Sequence, residues 1–161
     1  MYDANCGSVE RRNKMPRILR KDVLNELRIF DNISNSELVF YYRMPSEKER
    51  NKYSNHSVQR IRNKVVYDFA GARLAYGSQI LQGIRDGDFL VPVSDHPNAA
   101  LLDLPPEQED VTISSDPNSP YYVSDWKERV ADVASDLVMH LAMHVFDAPA
   151  ETDTRDTAEK N

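Results

Sequence analysis

Residues 46–87, SEKERNKYSNHSVQRIRNKVVYDFAGARLAYGSQILQGIRDG, decide how the rest of the chain is read. Ser46-Glu47-Lys48-Glu49 is a capping box: the Ser46 hydroxyl accepts from the Glu49 backbone N–H, and the Glu49 carboxylate accepts from the Ser46 N–H. Glu47 and Glu49 also sit favourably at the positive end of the helix dipole. Beyond the cap, Val58, Ile61, Val65, Phe69, Ala72, Tyr76 and Ile80 recur at spacings of three and four, which places them on one stripe of a helix. The pattern predicts one long central helix from Ser46 to about Arg85, with Gly87 as its C′ residue. Gly71, Gly77 and Gly83 each weaken such a helix by about 1 kcal/mol against alanine. They mark a kink, a break into two helices, or the close approach of another backbone.

On the N-terminal side, Leu38-Val39-Phe40-Tyr41-Tyr42 is rich in β-branched and aromatic residues and reads as a strand. Residues 31–36 have the composition of a turn. A small hairpin of residues near 27–31 and 37–43 is therefore expected, with a short helix over Val23–Phe30 as the alternative. Residues 1–15 are polar and are expected to form a flexible arm, in which Cys6 is a bystander thiol. On the C-terminal side, residues 88–120 hold six of the nine prolines and no long period. This stretch reads as a proline-rich connector, laid over the core in part by Phe89, Leu90, Val91, Leu101, Leu102 and Leu104. Ser124 or Asp125 caps a last helix from Trp126 to Phe146, whose apolar side is Trp126, Val130, Val133, Leu137, Leu141 and Val145. Pro149 ends it, and residues 149–161 have the composition of a disordered charged tail. The expected fold is mainly α with a small N-terminal β-hairpin, in a single domain over residues 16–148.

The chain has 161 residues, 40% of them hydrophobic, and a mean hydropathy of -0.62, the profile of one globular domain. It lacks the run of about 20 apolar residues that a membrane-spanning helix needs. It also lacks the apolar core of a secretory signal, and its single cysteine cannot form an internal disulfide, so the cytoplasm is the expected compartment. The charge is split: residues 1–85 carry 16 Lys and Arg against 9 Asp and Glu, and residues 86–161 carry 4 against 17. Such halves pair within one molecule, pair head to tail between copies, or attract separate partners. Nucleic-acid binding is disfavoured, because no motif organises the basic residues and the acidic half repels phosphate.

Few residues carry recognisable chemistry. Asp136, His140 and His144 fall at helical spacing on the last helix, as two or three metal ligands would. Leu141 stands where the glutamate of a His-Glu-x-x-His hydrolase would be, and His144 is expected to point toward the core with Trp126 and Leu137. Structural histidines are therefore the preferred reading. Arg85-Asp86-Gly87-Asp88 is a helix stop followed by a turn rather than a calcium loop. No phosphate loop, nucleophile elbow or Cys-x-x-Cys pair occurs. No enzyme activity and no cofactor are expected. Met139, Met143 and Phe146 lie opposite the core stripe and make the helix end apolar nearly all round, which marks them as a partner-binding surface.

Tyr42-Arg43-Met44-Pro45-Ser46-Glu47-Lys48-Glu49-Arg50-Asn51-Lys52-Tyr53 resembles a signature of the tail assembly chaperones of long-tailed bacteriophages. That family tends to show an apolar residue, a Thr or Pro, a short spacer, Glu-Arg, and an aromatic residue three positions later. Met44, Pro45, Glu49, Arg50 and Tyr53 fill those places. The resemblance extends from Ile18 to Tyr53 and, more loosely, over the helical body and the helix beginning at Trp126. The Gly-Trp-rich segment common in the family is replaced by residues 81–89. The resemblance implies a non-enzymatic protein of the host cytoplasm that binds the tape-measure protein and tail-tube subunits, keeps them soluble, and is absent from the finished virion. The alternatives are a structural head or tail component of the virion and a metal-dependent enzyme using Asp136, His140 and His144.

Overall fold

The computed structural model describes residues 22–148. The expected arm with Cys6, and the expected tail with Pro149, lie outside the described residues. Leu24–Asp31 (β1) and Ser36–Arg43 (β2) pair antiparallel in a register running from Leu24↔Arg43 to Asp31↔Ser36. The Asp31 carboxylate closes the turn by accepting the N–H groups of Ile33 (3.1 Å) and Ser34 (2.9 Å), and Asn35 takes the left-handed conformation that asparagine tolerates. Leu27 and Ile29 face the core opposite Phe40 and Leu38, whereas Arg28 and Phe30 are exposed. This period of two excludes the short-helix alternative for Val23–Phe30.

The capping box forms as expected. The Ser46 hydroxyl accepts from the Glu49 N–H at 3.3 Å, the Glu49 carboxylate accepts from the Ser46 N–H at 2.8 Å, and helix α1 follows over Glu47–Ser57. The long central helix does not. The chain turns extended at Val58 (φ -135, ψ 106) and makes a second hairpin, β3 (Val58–Ile61) with β4 (Lys64–Tyr67), before α2 begins at Phe69. Arg62, in the left-handed region at φ 57, makes the turn, and the Asp68 N–H donates to the Ser57 carbonyl at 2.9 Å to close the base. Val58, Ile61 and Val65 thus share helical spacing with Phe69 and Ile80 without sharing a helix. The β-branched residues of this stretch lose side-chain freedom in a helix and suit a pleated strand. Asp68 then caps α2 (Phe69–Ile80) by accepting the Gly71 N–H at 2.9 Å, a new start signal in the middle of the expected helix.

After α2, Leu81–Ile84 (β5) pairs antiparallel with β2, giving a three-stranded sheet of order β1-β2-β5. Gly87, at φ 89, turns the chain after this strand rather than ending a helix. The connector is structured: Leu90–Pro92 (β6) pairs with Asp110–Thr112 (β7), with 3₁₀ turns at Val93–Asp95 and Ala99–Leu101 between them. His96 is buried there; its Nδ1 accepts the Asn98 N–H at 3.2 Å and its Nε2 lies 3.4 Å from the Tyr121 carbonyl oxygen. Phe89 stacks on Phe40 at 5.9 Å, and Val111 and Ile113 enter the core.

The last helix is also divided. Trp126–Val133 (α3) and Ser135–Ala142 (α4) meet at Ala134 (φ -118, ψ 43), and Met143–Asp147 forms a π-helical turn. Trp126, Val130, Leu137, Leu141 and Val145 are buried as expected, but Val133, beside the break, is 86% exposed. One core joins sheet residues Ile29, Leu38, Phe40 and Tyr42 to Ile80, Val138 and Leu141 of the helices. With four helices and seven strands in three small sheets, the described chain is α+β, 39% helix and 28% strand, and not mainly α.

Candidate partner-binding surface

The β3–β4 hairpin is an arm. All eight of its strand residues are exposed, with Ile61 at 54% and Tyr67 at 65%. The register places Val58, Tyr67, Arg60 and Val65 on one face and Gln59, Val66, Ile61 and Lys64 on the other. Each face thus mixes branched apolar groups with a cation. Arg60, Arg62 and Lys64 make no ion pair among the described residues. A two-stranded hairpin by itself is at best marginally stable in water, and exposed apolar surface of this kind is common at partner-binding sites, which makes the arm the candidate.

Aromatic and charged groups pack at the base of the arm. Tyr67 stacks on Phe69 at 5.9 Å, and the Arg73 guanidinium lies 5.5 Å from the Phe69 ring centre. A cleft of about 280 Å³ opens there, lined by Arg50, Tyr53, Val58, Phe69, Phe146 and Asp147. The Phe146 ring stacks on Tyr53 at 4.5 Å and meets Tyr76 edge-on at 6.0 Å. Asp147 accepts from the Tyr53 hydroxyl at 2.6 Å and from Arg73 Nε at 2.9 Å, and Arg50 donates to the Val145 carbonyl at 2.9 Å. Burial, then the Asp147 carboxylate, raises the Tyr53 phenol above its ordinary pKa. The Tyr53 proton and both Asp147 oxygens are therefore engaged in tying α1 and α2 to the π-helical turn. The network positions the arm and presents no poised base or nucleophile.

A second open cleft, of about 450 Å³, is lined by Leu24, Tyr41, Gly83, Arg85, Asp86 and Asp116. Its Asp86 carboxylate is occupied by the Ser114 hydroxyl at 2.6 Å.

The residues singled out in the sequence are dispersed. Met143 is 43% exposed and Met139 half-buried, while Phe146 turns inward against Tyr53, so the three do not form one open patch. Asp136 and His140 are exposed. His144 is exposed as well, edge-on to Tyr42 at 6.4 Å, which corrects its expected core position; Val145 takes that place. The break at Ala134 and the π turn shift the helical phase that the sequence extrapolates. Among the described residues, no group of three or more His, Cys, Asp or Glu is arranged to hold a metal ion. The arm escaped the sequence reading, although Val65-Val66-Tyr67 followed by the capping Asp68 was its signal.

No helix among the described residues is long and apolar enough to cross a membrane. Compared with family models, curated proteins and solved structures, the chain matches none of them.

Proposed function

We propose that this protein is a non-enzymatic assembly factor of phage tail morphogenesis, a chaperone that holds the tape-measure protein or tail-tube subunits in the host cytoplasm. The observation that carries the reading is the β3–β4 arm, with apolar residues exposed on both faces and no covering element among the described residues. The resemblance of residues 42–53 to tail assembly chaperones supplies the class of client. Met143, 43% exposed on the π-helical turn, offers a further adaptable contact. Reversible binding of a long helical client suits such a surface, because many small apolar and charged contacts are made and released without chemistry.

The test is a pull-down with tagged protein from cells coexpressing the neighbouring tail reading frames, alongside analysis of purified particles. A long helical client is expected to coelute, and Ile61→Glu with Val66→Glu is expected to release it. Failure of any tail protein to coelute overturns the reading. Presence of the chain in finished particles replaces it with a structural virion role.

A further inference from the structure

We propose that the β3–β4 arm of one copy seats on the acidic connector of a second copy of this chain. The arm carries Arg60, Arg62 and Lys64, and no Asp or Glu occurs between Glu49 and Asp68. The connector has the opposite character: no Lys or Arg occurs between Arg85 and Lys127. Asp103, Glu107, Glu109 and Asp110 are exposed on it, next to Leu101, which is 85% exposed. None of these charges is in an ion pair among the described residues. The arm packs on itself and on the end of α1, and the β6–β7 strands pack on each other. Among the described residues, the two complementary surfaces therefore find no partner in each other within one molecule, and each matches the other between molecules.

The chemistry of the two sides matches in kind as well as sign. Val58, Ile61, Val65 and Tyr67 on the arm, and Leu90 and Leu101 on the connector, are apolar groups exposed beside the charges. Joining them removes apolar surface from water while the charges set partner and orientation. The contact unites two different surfaces, so a reciprocal pair closes as a dimer and a one-way contact propagates along a row of copies. The inference rests on the arm being a binding element and is independent of the tail-assembly role.

The experiment is sedimentation velocity on the full chain over a concentration series at low and at high salt. A mass above that of one chain, rising with concentration and weakened about tenfold or more at high salt, is expected. Arg60→Glu with Arg62→Glu and Lys64→Glu is expected to abolish it, as is Asp103→Lys with Glu107→Lys and Glu109→Lys. Both sets in one chain are expected to restore it. Circular dichroism checks the fold of each variant, and a labelled peptide of residues 101–110 titrated into the unmodified protein reads the same contact without any substitution. A single-chain mass at every concentration, no restoration in a folded combined variant, or no binding of the peptide overturns the proposal. A single-chain mass of the unmodified protein together with intact tail-client binding removes this inference and leaves the proposed function standing; self-association of the unmodified protein without any tail client removes only the function.

Discussion

Phe146 lies flat against Tyr53, ring centres 4.5 Å apart, and so fastens the π-helical turn to the first helix. The same ring meets Tyr76 on α2 and lies 5.8 Å from the Arg50 guanidinium on α1, so both helices depend on it. Phe146→Ala is therefore expected to lower stability by about 2 kcal/mol, a half-buried aromatic's share of the cost of truncation. Met143→Ser, at an exposed position of the same turn, should stay within about 0.5 kcal/mol of the parent. Urea unfolding midpoints check the contrast; equal midpoints would mean that Phe146 is not the fastening.

Gly77 on α2 faces Val138 on α4 so closely that an added Cβ would lie 2.5 Å from the Val138 carbonyl oxygen. Alanine favours a helix over glycine by about 1 kcal/mol, but the steric cost of spreading two packed helices is about 2 kcal/mol. Gly77→Ala is thus expected to destabilise, and thermal unfolding that shows a higher midpoint instead would place the helices further apart.

Arg43 holds Glu49 through a 2.6 Å and a 2.9 Å hydrogen bond. This pairing first, opposed by burial and aided by the Ser46 N–H and hydroxyl, lowers the Glu49 carboxyl from 4.5 to about 2. A carboxyl depressed in the folded state binds its proton more weakly there than in the unfolded chain, so its contribution is full above pH 4.5 and lost as pH falls toward 2. Glu49→Gln should cost about 2 kcal/mol at neutral pH. The gap to the parent should close through that acid window in denaturant titrations at stepped pH.

Substitutions on the arm should separate binding from folding. Ile61 and Val66 are exposed on the arm, outside the buried core. Ile61→Thr and Val66→Thr are therefore expected to move the unfolding midpoint by less than about 0.5 kcal/mol while weakening capture of a tail client. A large stability loss would show that the arm is part of the core.

Where the sequence carries local chemistry, it was legible. Asp31 and Asn35 announce the first turn, Ser46 and Glu49 announce α1, and Asp125 stands at the start of α3. The hydrophobic period was less reliable. Val58, Ile61 and Val65 satisfy helical spacing and a hairpin register equally, because short apolar runs fit both periods. The capping Asp68 and the β-branched run before it are the local signals that interrupt the expected long helix. The candidate site suffered the same ambiguity: Phe146 was placed with Met139 and Met143 by an ideal helical wheel, and the π turn directs it to Tyr53.

The sequence by itself determined the first turn, the capping box at Ser46, the division into a basic first half and an acidic second half, and the absence of a recognisable catalytic motif. These depend on hydrogen bonds and charges among residues close in the chain. Only the tertiary structure decided that the central helix is interrupted, that the connector is folded onto the core, and that the hairpin arm stands exposed while Phe146 does not. Those outcomes depend on which apolar faces meet across long separations, as where Gly77 admits the α4 backbone and Tyr53 receives Phe146. Local propensity is too weak to settle such meetings, and the free energy of burying one surface against another decides them.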